Sequence, residues 1–334
     1  REAVGAFAIG EAAQLARGVA VMTFVLEGIG ALLLFLLFIT VYPPGSALWL
    51  AVFHAISAFN NAGFDVIGDF RSLTPFQSHP IVLLTLASLI ALGGLGYLIL
   101  VDIARHRSFE RLALDTKIVL TAAVVLWGVG LLAILGVEWN NPYTLGPLPW
   151  PQKVLNAFFQ SVTARSAGFN SVAVTGLTEQ SLFLTIGLMF IGGASASTAG
   201  GIRINTFSVL LAAIAATVLG RPEVYIFRRT IPAELVNRAL AIALLAVAYL
   251  FAVAYLLAIT EQAPFLHLLF EAVSAFGSVG LTTGVTPRLS PPGVALIILT
   301  MLVGRLGPLT LAVVLAGRLT VPHVRYAREL VRVG

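Results

Sequence analysis

The sequence contains no cysteine, only three methionines and five histidines, and charged residues make up just 10% of its 334 positions. Without cysteine there can be no disulfide framework and no thiolate metal site. The histidines are scattered and lack carboxylates at close spacing, so no catalytic or metal-ligating constellation is present. No GxGxxG follows a strand pattern and there is no P-loop, which leaves nucleotide binding to other polypeptides. What is abundant is apolar: 58% of the residues, with a mean hydropathy of +0.97. That balance excludes an ordinary water-soluble domain and points to an integral membrane protein. The net charge of +5 is explained by where the charges fall, not by nucleic acid, and no nucleic-acid partner is expected.

One short segment occurs three times: Asn61-Ala62-Gly63-Phe64, Ser166-Ala167-Gly168-Phe169 and Ser278-Val279-Gly280-Leu281. Each copy follows an apolar stretch too short to cross a bilayer, beginning at Phe53, Phe159 and Phe270, and the middle copy is one residue shorter between its Phe and its Gly. A crossing needs about 20 apolar residues, so such stretches read as re-entrant or buried half-helices. The chain then divides as follows. Residues 1–18 are a cytoplasmic lead-in, which reads neither as a signal peptide nor as a complete N-terminus. Residues 19–103 form a unit with a span at 19–41, a half-helix at 46–60 and a second span at 81–101. After a basic linker (104–117), residues 118–219 form the next unit, whose final apolar run (181–219) is nearly twice the length of one crossing and is interrupted by Gly192 to Gly201. A further basic linker (220–238) leads to the last unit (239–317), with a span at 239–260, a half-helix at 264–276 and a span at 293–317. Residues 318–334 are a basic tail.

The charges support this topology. If the ends of each unit face one side, that side collects 15 of the 20 Lys and Arg residues. The other side keeps Arg71, Lys153, Arg165 and Arg288, and Arg305 falls in mid-span. The positive-inside rule makes the rich side cytoplasmic, and the Gly turns then lie toward the outside.

Backbone inside a membrane must be hydrogen-bonded internally unless it lines a hydrated or ion-filled path. A half-helix that ends in a Gly turn exposes carbonyls of that kind. Gathered around an axis, they can replace the hydration shell of a bare cation. Gly permits the positive φ that points successive carbonyls one way, and the negative end of the half-helix favours a cation there. An ordinary capping Gly in an interhelical loop explains one copy, but it explains three at matched spacing poorly. The candidate filter is therefore Asn61, Ala62, Gly63, Phe64, Ser166, Ala167, Gly168, Phe169, Ser278, Val279, Gly280 and Leu281, with the cation held at Gly63, Gly168 and Gly280. Ser57, Thr163 and Ser274 are candidates to brace the half-helices, with plain packing as the other reading. Glu271 and His54 sit at similar depth, and Glu271 is expected to support the turn, since an unpaired charge there is costly.

These segments, with Met189 to Gly193, Gly200 to Arg203 and Gly304-Arg305-Leu306-Gly307-Pro308-Leu309-Thr310, resemble the KtrB-type potassium-translocating subunits of the Trk/Ktr/HKT superfamily over essentially the whole chain. The resemblance implies an all-α membrane protein built of tandem span–pore-loop–span repeats around one ion path. It implies four repeats, of which the second, third and fourth are visible and the first is expected ahead of Arg1. It also implies that the loop of small residues acts as a gate beneath the filter, through Gly192, Gly193, Ser195, Ser197, Thr198, Gly200 and Gly201, with Arg305 on the inner pore wall. On the residues alone, that loop could be a helix-packing face and Arg305 one member of a buried ion pair. The further implications are potassium uptake across the cytoplasmic (inner) membrane, with K+ as the transported ion and Na+ as a candidate stimulating ion. Subunits of this kind pair as homodimers on a separate cytosolic nucleotide-binding ring, through which alone a nucleotide would act. The basic linkers suit that ring or anionic membrane lipid. The competing reading is a secondary transporter with discontinuous helices around a midplane site. It asks for inverted repeats and in-span carboxylates, whereas the repeats run in one orientation and Glu27 is the one clear in-span carboxylate. An enzyme is not expected.

Overall fold

The computed structural model describes residues 2–195 and 197–307. The order of elements is α1 (Glu2–Phe38), α2 (Pro44–Phe59), α3 (Pro80–Leu95), α4 (Tyr97–His106), α5 (Leu114–Glu138), α6 (Trp150–Thr163), α7 (Glu179–Phe190), α8 (Ile204–Val218), β1 (Val224–Ile226), β2 (Arg229–Ile231), α9 (Ala233–Thr260), α10 (Phe265–Phe276) and α11 (Pro291–Leu306). Among the described residues the fold is helical apart from the β1–β2 hairpin, an antiparallel pair inside the expected linker 220–238. Three of the described segments are long and apolar enough to cross a membrane: Ala13–Phe38 within α1, α5 and α9. Large apolar side chains on them, such as Phe24, Leu132 and Phe251, stay exposed, as suits helices whose outer surface meets lipid. The lead-in expected at 1–18 is continuous with the first span, because α1 runs unbroken from Glu2.

Proline and glycine punctuate the rest. The half-helices α2, α6 and α10 each start behind a proline: Pro43, Pro149 and Pro264. Proline has no N–H to leave unpaired in a first turn and pre-sets the helical φ. All three half-helices end four or five residues before a Gly of the threefold segment. Each packs on the long helix before it, α2 on α1, α6 on α5 and α10 on α9. In addition α6 packs on α3, and α10 on α7, so the later two half-helices also lean on a helix of the preceding unit. This relation sets the units side by side in chain order.

The second helix of each unit departs from a simple span. The expected span 81–101 is two helices, α3 and α4, bent by 96° at Gly96, whose φ of 81° and ψ of 160° no L-residue adopts readily. Within the expected span 293–317, α11 ends at Leu306, where Gly307 (φ 89°) caps it. Residues 308–334, and with them the remainder of that span and the tail, lie outside the described residues. At 16 residues each, α3 and α11 are about 24 Å long, short of the roughly 30 Å hydrocarbon core. The 39-residue run breaks where its small residues predict, between α7 and α8. On the linker side of the bend, Asp102 pairs with His106 at 2.7 Å and accepts from the Ala113 N–H. Hydrogen bonds, that from Thr116 foremost, hold its carboxyl below the usual carboxylate range.

Two glycines make the short second helices fit. A methyl group on Gly93 would lie 1.8 Å from the Phe59 carbonyl oxygen, and one on Gly304 would lie 1.8 Å from that of Phe276. Those carbonyls belong to the last residues of α2 and α10, so each half-helix end rests on bare backbone of its own unit. Gly93→Val and Gly304→Val should each cost about 3 kcal/mol or more, read as a lowered thermal-unfolding midpoint of detergent-solubilised protein. Gly128→Val on α5, where nothing lies within 4 Å, should leave it nearly unchanged. Equal effects at all three positions would contradict this packing.

Candidate functional site

The three Gly turns share one backbone pattern. In the first, φ is positive at Asn61 (50°) and Gly63 (73°); in the second, at Ser166 (86°) and Gly168 (84°); in the third, at Ser278 (49°) and Gly280 (91°). Ala62, Ala167 and Val279, between them, keep ordinary φ. Along an extended strand the carbonyls alternate from side to side. A positive φ at every second residue brings them to one side instead. The middle turn reaches the same pattern with one residue fewer, because the Ala167 and Gly168 N–H groups both reach Thr163 O, at 3.0 and 3.2 Å. In the other two turns the Ala62 and Val279 N–H groups reach Ser57 O and Ser274 O, each at 2.8 Å.

The turns also seat against one another. A methyl on Gly63 would come within 2.1 Å of the Ala167 carbonyl oxygen, and one on Gly168 within 1.8 Å of the Val279 oxygen. Beside Gly280 nothing lies within 4 Å among the described residues. The carbonyl before each of the last two glycines therefore abuts the preceding glycine, and a side chain at Gly63 or Gly168 would strike a neighbouring turn.

Two of the three bracing hydroxyls act alike. Ser57 Oγ donates to Phe64 O and Ser274 Oγ to Leu281 O, both at 2.7 Å. Phe64 O and Leu281 O therefore point back to the half-helices. Thr163 differs: its Oγ1 is buried and finds no partner among the described residues, as do Asn61 Oδ1 and Ser166 Oγ. Phe169 is fully buried, whereas Phe64 is 70% exposed. The Glu271 carboxylate accepts from Thr282 Oγ1, the Thr283 N–H and hydroxyl, and Thr286 Oγ1, which fixes the chain just beyond Leu281. His54 is buried, its Nδ1 2.7 Å from Leu50 O. Glu27, the in-span carboxylate, accepts from Asn60 Nδ2 at 2.7 Å.

The loop of small residues lies against all three turns. It opens and closes on itself through Gly192 N–H to Ile202 O (2.8 Å) and Ile202 N–H to Phe190 O (3.2 Å). The Ala194 N–H reaches Gly94 O at 3.0 Å, and Thr198 Oγ1 donates to Gly93 O at 3.2 Å. Asn61 Nδ2 in turn donates to Thr198 Oγ1 at 2.7 Å. Gly200 packs on Gly277 and Ser278, where a methyl would meet Gly277 O at 2.6 Å. Ser197 Oγ donates to Ala194 O within the loop, the Ser195 N–H goes to Asn205 Oδ1, and the Gly193 carbonyl accepts from the Ile204 N–H. Gly201 carries positive φ (73°) at the exit. Ala196 lies outside the described residues.

Two arginines reach the loop. Arg305 is in the last turn of α11, and its Nη1 donates to Thr198 O. Arg165, counted above with the outer charges, is only 7% exposed and turns inward, its Nη2 donating to Gly192 O at 2.9 Å. A charge three residues before the Gly, where the other copies have Asn60 and Gly277, was the available signal. It takes the loop's position to interpret it.

A family model described as TrkH, cation transport protein, matches residues 1–322. The chain belongs to that family. It is 41% identical over 310 residues to the Ktr system potassium uptake protein B of Bacillus subtilis, covering 93% of this chain and 69% of that protein. It is 40% identical over 323 residues to the protein of the same name from Vibrio alginolyticus, covering 96% and 70%. Against the potassium/sodium uptake protein NtpJ of Enterococcus hirae it is 36% identical over 290 residues, covering 86% and 64%. The crystal structure of the potassium transporter TrkH from Vibrio parahaemolyticus superposes with a TM-score of 0.74 at 17% identity, covering 92% of this chain and 64% of that one. That last likeness speaks for the fold. The chain is thus part of a multi-pass membrane cation transporter, not an enzyme, and spans about two thirds of the length of these relatives.

The hydroxyl geometry is directly testable. Ser57→Ala and Ser274→Ala should each cost about 1 kcal/mol by leaving a carbonyl without its donor, whereas Thr163→Val should cost clearly less. Thermal unfolding of the three variants measures this, and a Thr163→Val loss as large as the serine losses would contradict it.

Proposed function

We propose that this chain provides most of the wall of a potassium-uptake pathway, in which the carbonyls of residues 61–63, 166–168 and 278–280 coordinate the bare ion. The observation that carries the reading is the shared + − + pattern of φ in three turns that abut one another. The half-helix C-termini direct partial negative charge at the same place. Each relative named above is a potassium uptake protein or transporter by its name. The open side of Gly280 is where a fourth turn of the same kind would seat. The discontinuous helices alone would also suit a secondary transporter, but three turns of one orientation favour a channel-like filter.

In this reading residues 192–201 form the gate. The loop lies across the inner face of the turns, and a cation leaving the filter inward must displace it. Arg305, bonded to Thr198 O, places a positive charge in that exit and raises the barrier to cations while the loop is in place. Potassium selectivity rests on glycine at all three positions, and sodium acts as a stimulating ion. The cytoplasmic side, rich in Lys and Arg, faces the interior across the cytoplasmic membrane. Regulation comes from a separate nucleotide-binding ring beneath a homodimer. Support for the ring is that two of the relatives are named as parts of a Ktr system.

Two flux measurements on the full-length protein in vesicles test this. Gly168→Ser should lower potassium-over-sodium discrimination by about tenfold or more, because its Cβ displaces the Val279 carbonyl; an unchanged ratio would remove the filter assignment. Arg305→Ala should raise the maximal uptake rate severalfold and weaken its regulation, and unchanged flux would remove the gate.

A further inference from the structure

Arg165 is a buried guanidinium that the pathway described above does not use. Among the described residues no carboxylate pairs with it, the ion pairs there being Arg71–Asp69 and His106–Asp102. Its partners are backbone and ring: Gly192 O at 2.9 Å, Ile191 O at a long 3.5 Å, and the face of Trp127, 5.8 Å from the ring centroid. An uncompensated charge in a low-dielectric setting is costly and persists only where other groups stabilise it. Here two helix ends do so. The Arg165 N–H bonds Val162 O at the C-terminus of α6, and its side chain meets the chain just where α7 ends at Phe190. Both termini present partial negative charge.

The position is specific to one unit. Three residues before the Gly, the first turn has Asn60, turned away to Glu27, and the last has Gly277, which has no side chain. The middle unit is the one whose second helix breaks to form the loop, and it alone carries a cation at this position. Around the guanidinium, Ile90, Val162 and Trp127 help to line a cavity of about 20 Å³, roughly room for one water. If the loop withdrew, Arg165 would lose the Gly192 carbonyl and would have to turn to another acceptor, its own turn or the Gly94 carbonyl that the loop vacates. Because Arg165 lies three residues before Gly168, that movement bears on the backbone leading to the filter glycine.

We infer that Arg165 is a positioning residue that ties the middle filter turn to the gating loop, so that ion occupancy of the filter and closure of the loop are linked. This rests on the potassium-uptake reading. Linkage is reciprocal: if the loop's position alters the filter's affinity for K+, K+ alters the loop's equilibrium by the same factor. A link made through Arg165 also depends on the forked geometry of its guanidinium, which lysine does not reproduce.

The test begins with a thermal-shift titration of the full-length protein in KCl against NaCl. No preferential stabilisation by K+ overturns the uptake reading and this link with it. Given stabilisation, amide hydrogen exchange of the peptide holding residues 191–194 should slow by about threefold or more in KCl in the wild type, and the difference should vanish in Arg165→Lys. Equal exchange of the wild-type loop in both salts overturns the link while leaving the uptake reading intact. Flux supplies a second, independent arm. Arg165→Lys should lower potassium-over-sodium discrimination by about fivefold, and by less than about twofold when residues 195–198 are also deleted. The same loss with and without the loop would assign Arg165 a purely structural role.

Discussion

The rest of the structure depends on one constraint: a helix that stops inside a membrane leaves carbonyl groups that lipid cannot satisfy. This chain stops helices there repeatedly, at Phe59, Thr163 and Phe276 for the half-helices and at Leu95, Phe190 and Leu306 for the helices that follow them. Each stop is then served by a particular device. Ser57 and Ser274 take the carbonyl after the glycine, Gly93 and Gly304 let the half-helix ends rest against backbone, and Arg165 and Arg305 donate to the loop. The carbonyls left without a donor in the turns are those a dehydrated cation can use.

The loop between α7 and α8 belongs to one unit in sequence but to all three in contact. It takes a hydrogen bond from Asn61 of the first turn, one from Arg165 of the second, and packs on Gly277 and Ser278 of the third. Thr198 is its most connected residue, joined to Asn61, to the Gly93 carbonyl and to Arg305. Its small residues are needed because the space is set by backbone on every side: a methyl at Gly192 would meet Gly200 O at 1.8 Å, and one at Gly193 would meet Gly94 O at 2.6 Å. Small size therefore lets the segment fill a narrow space walled by backbone.

The threefold segment, the half-helices and the break near residue 192 were legible in sequence because each is a local signal: a proline start, an apolar stretch too short to span, a glycine end. The bend at Gly96 was not. A glycine within an apolar run gives no sign of its φ, and the residues around Gly96 are apolar enough to continue a span. Arg165 was misplaced for another reason. Counting charges by loop assigns a residue to a side, yet a long side chain at the end of a half-helix can reach inward by several ångströms. The unequal roles of Ser57, Ser274 and Thr163 follow from a one-residue deletion visible in the sequence, whose effect on hydrogen bonding only the folded turns reveal.

The central claim is that carbonyl oxygens of the three turns form one cation site. The most direct measurement is anomalous scattering from crystals of the full-length protein grown in rubidium. The expected result is a peak about 3 Å from carbonyl oxygens within residues 61–63, 166–168 and 278–280, lost when sodium replaces rubidium. A rubidium peak elsewhere in the membrane region, with the turns empty, would contradict the account.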